Sequence, residues 1–194
     1  MIRALLAAVA LVTGTSAALA AEPIAPERII DAVTGDWNKD DQSDLALLVA
    51  PPEGEDMIGI YIYVRDKDHP LLKLVAEAPG KIWGNSSLDG MFGQDASLTA
   101  LANGSIAVHS QNSGIGRNRW EQRMTLAYRN GDFVVAGYTY NDYDTLDPDA
   151  GTTCDYNVLT GKAKVNDKEL RVEPKFITIQ DWDDTKDRGP CSND

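Results

Sequence analysis

Histidine and cysteine are scarce in this chain, with two of each among 194 residues. His69 and His109 are therefore the only imidazoles that could serve as a base or a metal ligand, and a histidine-rich metal centre is excluded. No Cys-x-x-Cys spacing occurs, so no thiolate zinc site or dithiol redox motif is encoded. The Gly-x-Ser-x-Gly elbow, the His-Glu-x-x-His zinc motif and the phosphate-loop motif are all absent. Positive charge is short too: 18 Lys and Arg stand against 30 Asp and Glu, for a net charge of −12. A field of that sign repels phosphate backbones and anionic headgroups, which removes nucleic acid from the expected partners. Beyond residue 20 there is no second long apolar run, and no segment carries a sustained helical period with caps.

What is present begins at the N-terminus. Arg3 supplies a short positive region, Ala4 to Ala20 is almost wholly apolar, and Ala18-Leu19-Ala20 offers small residues at the two positions a signal peptidase reads. Glu22 and Pro23 follow, which neither flank a membrane anchor nor continue a helix. Residues 1–20 thus read as a cleaved secretory signal and 21–194 as one mature domain, without a membrane anchor after cleavage. No lipobox cysteine follows the leader. The expected location is the periplasm or the extracellular space. In such an oxidising compartment the pair Cys154 and Cys191 is expected to form a disulfide.

The rest of the chain predicts an all-β fold, an antiparallel sheet that is sandwich-like or an open meander, with little helix. Leu45 to Ala50 is an apolar run, and Met57 to Val64 puts Ile58, Ile60 and Ile62 on one side with Tyr61 and Tyr63 on the other. Leu71 to Glu77 reads as a further strand closed by Pro79-Gly80, and Lys81 to Asp95 as a loop or irregular connection with room for short helices. Asn103-Gly104 and Asn130-Gly131 are two-residue hairpin signals. A tight first turn would pair Leu101 with Ile106 and Thr99 with Val108. The second would set Tyr128 opposite Phe133, Leu126 opposite Val135, Met124 opposite Gly137 and Arg123 opposite Tyr138. Asn166-Asp167 suggests a third hairpin between Tyr156–Val165 and Lys168–Val172, and Phe176 to Ile179 a last strand. No repeat supports a propeller.

The stretch Gly35-Asp36-Trp37-Asn38-Lys39-Asp40-Asp41-Gln42-Ser43-Asp44 places oxygen side chains at Asp36, Asn38, Asp40 and Asp44. Alternate acidic residues in a tight loop suit calcium, which takes six to eight oxygens. The segment resembles the calcium loop of FG-GAP or integrin-like repeats, and that resemblance implies Asp36, Asn38, Asp40 and Asp44 as metal ligands. It departs from the family at Asp41, where glycine is usual, and the chain carries one good copy. The acidic segment Asp181 to Asp187 reads instead as a charged surface tail.

Arg117, Arg119 and Arg123 gather around Trp120, and guanidinium forks suit carboxylate or sulfate. Tyr138 and Tyr140, with Tyr143, add a predicted aromatic-polar surface, and a cross-strand stack of Arg123 on Tyr138 is the alternative reading of that arginine. These residues predict a noncatalytic binding protein for an envelope glycan or a protein partner, stabilised by calcium. The competing expectation is an envelope hydrolase whose carboxylate or histidine site carries no motif, with Glu53 and Glu121 as weak candidates.

Overall fold

The computed structural model describes residues 23–85, 90 and 92–192. The expected leader, and positions 86–89 and 91 of the expected irregular connection, lie outside the described residues. Two antiparallel sheets make up the fold. The first holds β1 (Ile29–Gly35), β2 (Asp44–Val49), β3 (Ile58–Asp66) and β4 (His69–Ile82) in chain order. The second holds β5 (Ser97–Ala100), β6 (Ser105–Asn112), β7 (Asn118–Arg129), β8 (Asp132–Asp144), β9 (Asp147–Asn157), β10 (Lys162–Val165) and β11 (Lys168–Arg171), again in chain order. Each sheet is a meander, and the two face each other without closing into a barrel. Only two single-turn 3-10 segments, Pro26–Arg28 and Gly189–Cys191, interrupt the strands among the described residues. No helix there is long and apolar enough to cross a membrane.

Period-two alternation builds the core. Ile58, Ile60 and Ile62 are fully buried beside Ala46 and Leu48, and they meet Ile106, Val108, Met124, Leu126, Phe133 and Val135 from the second sheet in one cluster. Tyr61 and Tyr63 take the opposite face of β3, as the alternation requires. Asp31 Oδ2 accepts the Leu98 N–H at 2.7 Å and so fastens β1 to β5 where the two sheets adjoin.

Several expected boundaries and registers need correction. The chain forms β1, which sequence reading passed over, β9 begins at Asp147, well ahead of the expected Tyr156, and β4 continues through Pro79-Gly80 to Ile82 by means of bulges. A reversal at Val158 to Gly161 splits the expected Tyr156–Val165 strand, so β9 and β10 form their own hairpin. At Asn103-Gly104 the observed partners are Leu98 with Val108 and Ala100 with Ile106. Only Gly104 is left-handed there, and the Leu101 N–H reaches the Ser105 carbonyl, which makes a three-residue loop instead of a tight one. Asn130-Gly131 closes as expected, with both residues at positive φ and Tyr128 opposite Phe133. Six residues further on, Ala136 is an extra residue in β8, so Met124 faces Tyr138 and Arg123 faces Thr139.

Trp182 roots the C-terminal segment in the core, which corrects the reading of 181–187 as wholly a surface tail, while Asp181, Thr185 and Lys186 are exposed as that reading expects. Val135 N–H donates to the Ile177 carbonyl and Ile179 N–H to that of Phe133, so the tail continues the sheet where β9 turns away from β8. Ile179 and Trp182 are buried, and Trp182 lies 5.7 Å from the Tyr138 ring. Cys154 and Cys191 form the expected disulfide, which locks this tail to β9.

Candidate functional site

The outward face of the seven-stranded sheet is polar, and its cross-strand register explains how. His109, Arg123, Thr139, Asp155, Lys164 and Glu169 form one row across β6 to β11, with charge alternating over its far half. A flanking row holds Gln111, Glu121, Asn141 and Thr153, and the other holds Thr125, Gly137, Asn157, Lys162 and Arg171. Every member is two residues along its strand from the next row, so the pattern follows from pleat alone.

Two depressions lie along it, of about 410 Å³ over β6–β10 and about 600 Å³ over β9–β11, and they share Asp155 and Lys164. A third, of about 310 Å³, adjoins the first through Glu121 and Asn141, and is lined further by Arg119, Trp120 and Tyr143. The three make one continuous trough. From β6 to β11 it spans about 24 Å, at about 4.8 Å per strand step. Its two larger depressions hold four cations (Arg123, Lys162, Lys164, Arg171) and four acids (Glu121, Asp155, Asp167, Glu169). That balance contrasts with the net −12 of the whole chain.

Glu121 is oriented within the trough: the Asn141 amide donates to its Oε1 at 3.0 Å, and His109 Nε2 lies 3.7 Å from its Oε2. Lys164 lies 3.5 Å from Asp167, an exposed pair that contributes little to stability. The Asn166 side chain accepts the Thr153 N–H at 3.0 Å, and so holds the β10–β11 turn against β9.

The predicted arginine and tyrosine residues do not form one surface. Arg117 is exposed and held by Asp144, with Nε and Nη2 at 2.7 and 2.6 Å from its carboxylate, which keeps that carboxyl below its ordinary range. Arg119 and Trp120 line the end depression, and Arg123 the middle one. Tyr138 is fully buried and Tyr140 nearly so, which corrects the expected aromatic surface and the Arg123–Tyr138 stack. The bulge at Ala136 is the cause, since it turns Tyr138 to the core side of β8. There its hydroxyl donates to Gln122 Oε1 at 2.6 Å, and burial pushes the phenol well above its ordinary value. The guanidinium over both tyrosine rings is that of Arg188, 5.7 Å from each centroid. Trp120 stacks on Tyr140 at 6.3 Å and packs against Trp83 at 4.8 Å.

The acidic loop lies away from this face, between β1 and β2. Trp37 anchors it in the core, edge-on to Phe133 at 6.3 Å. Asp36 accepts the N–H groups of Asp40 and Asp41 at 3.0 Å, Asn38 that of Asp40, and Asp40 that of Gln42. Asp41 adopts φ +66°, a left-handed conformation that glycine takes most readily. Asp44 is 1% exposed and accepts the Trp37 and Arg65 N–H groups at 2.8 and 2.9 Å. Burial raises its carboxyl above the ordinary value despite those bonds. Among the described residues no three His, Cys, Asp or Glu side chains converge on a common metal position. As built, the loop is a hydrogen-bonded turn.

Sequence reasoning missed Thr139, Asn141, Thr153, Asp155, Lys162, Lys164, Glu169 and Arg171. The available signal was polar residues at alternate positions on three successive strands. Read one strand at a time, that pattern looks like ordinary solvent exposure. Comparison of the chain with protein-family models, with curated proteins and with solved structures returns no match.

Proposed function

We propose that this is a noncatalytic binding protein of the bacterial envelope, periplasmic or secreted, and that it holds an extended glycan along the outer face of its larger sheet. The continuous trough is the observation that carries this reading. Its lining alternates donors and acceptors, with hydroxyls and amides at Thr139, Asn141, Thr153 and Asn157, and it offers no deep apolar pocket. Such a surface matches a hydroxyl-rich chain better than a peptide, which takes apolar pockets or a free sheet edge. Export is supported by the leader-like N-terminus and by the disulfide.

The test is calorimetric titration with chito-, cello- and malto-oligosaccharides, repeated on Thr139→Trp, which fills the centre of the trough. Saturable binding that this substitution abolishes supports the proposal; no binding to any of them, or binding unaffected by the substitution, refutes it. A hydrolase is the second reading, favoured by the oriented Glu121 beside His109. Cleavage of a bound oligosaccharide that Glu121→Gln stops would replace the first reading with this one.

Calcium at the loop of residues 36–44 is a separate proposal, favoured by the left-handed Asp41 and the three oxygen side chains drawn into one turn. Asp36, Asn38 and Asp40 would hold the ion with Asp44, and the ion would contribute charge neutralisation and stiffness. Chelated protein should give binding heat and a higher melting temperature with millimolar calcium; neither change would end that proposal.

A further inference from the structure

The end of the trough carries a cation that the described residues leave unmatched. Arg119 Nη1 is buried and meets no acceptor among the described residues. Its neighbour Arg117 is already neutralised by Asp144, whereas Arg119 makes no ion pair among those residues. An unmet buried N–H on a charged group costs more than a neutral one, and a forked guanidinium is matched best by a carboxylate. Arg119 faces outward on β7, paired with Tyr143, and Tyr143 is 46% exposed. Trp120 beside it points to the other face of β7, where it packs on Trp83 and Tyr140 against the core and so fixes the strand that carries Arg119. The depression joins the main trough through Glu121 and Asn141, and the Asn141 amide occupies one oxygen of the Glu121 carboxylate.

We infer that this end subsite takes an acidic sugar, with its carboxylate on Arg119 and its ring against Tyr143. The inference rests on the trough as a glycan site and adds the class of sugar that occupies one end. The main trough adds no net charge from its charged pairs, so Arg119 tips the continuous site positive and an anionic unit is accepted there on a protein that otherwise repels it.

The experiment titrates the disulfide-bonded protein with oligogalacturonate and with its fully methyl-esterified counterpart, which is the same chain without charge. The acid should bind about tenfold more tightly than the ester at low salt, as a charge-assisted bond of ordinary strength provides. Arg119→Gln should bring the acid down to the level of the ester, with an unaltered circular dichroism spectrum. Equal affinity of acid and ester in the unsubstituted protein overturns the subsite and leaves the trough standing. So does a uniform loss of both ligands in Arg119→Gln. If neither of these probes nor any neutral oligosaccharide binds, the trough itself is refuted and the subsite with it.

Discussion

Tyr138 shows how one side chain links packing to titration. Its ring is sealed between the sheets and the tail, and its hydroxyl has a fixed acceptor in Gln122. Desolvation is the largest cause of its raised value, and Asp184 adds to it while Arg188 opposes it. The folded protein thus holds this proton more tightly than the unfolded chain. The corresponding stability is fully present below the ordinary tyrosine value of 10.0 and is lost as pH rises through the folded one. Tyr138→Phe strands the Gln122 oxygen and should cost about 1–3 kcal/mol in urea unfolding. The same variant should leave the ordinary phenolate absorbance step unchanged, and a smaller step would contradict the burial account. Asp44 obeys the same sign at the acidic end. Its raised carboxyl gives a contribution present below the ordinary carboxylate value of 3.8 and lost as pH rises through the folded one. A carbon-13 titration of Asp44 should give a midpoint above that ordinary value; a midpoint below it would mean the Trp37 and Arg65 N–H groups outweigh desolvation.

At the scale of elements, the turns carry unequal demands although their sequences look alike. Asn130 sits at φ +57° and Gly131 at +96°, whereas at the other Asn-Gly only Gly104 is left-handed. Asn130→Ala should therefore cost about 1–2 kcal/mol in unfolding free energy. Asn103→Ala loses one side-chain bond to the Ser105 N–H and should cost less than about 1 kcal/mol. Equal losses in denaturant titration would show that the turn type has been misjudged. Gly161 is a stricter case. It lies at φ +71°, and a Cβ there would run into the Val172 carbonyl, so Gly161→Ala should destabilise the β9–β10 hairpin more than either asparagine change. Alternation and turn chemistry made most of β2, β3 and β5 to β8 legible in advance. The bulge at Ala136 was not legible, because it exists to let β8 exchange β9 for the tail as its neighbour. No local residue preference encodes that exchange.

For the whole molecule, the disulfide and the tail act as one closure. The Cys154–Cys191 bond spans 37 residues. Chain-entropy arithmetic gives about 4 kcal/mol for a loop of that size. Replacing both cysteines with alanine should lower stability by up to this amount and free the tail, read as a red shift of Trp182 fluorescence before global unfolding. An unchanged spectrum with unchanged stability would show that packing of Ile179 and Trp182 holds the tail without the bond. Cys154 also lies between Thr153 and Asp155, so loosening the tail should weaken the glycan binding we propose, through β9.

The chain by itself determined the features that depend on neighbours in sequence: the alternating strands, the left-handed Asn130-Gly131 reversal, and a cysteine pair with one possible partner each. Tertiary structure decided which tyrosines are enclosed, how the tail completes the larger sheet, and that polar residues from six strands line one trough. The physical reason is that pleat and turn geometry act over a few residues, whereas a bulge, sheet twist and cross-strand register bring together side chains far apart in sequence.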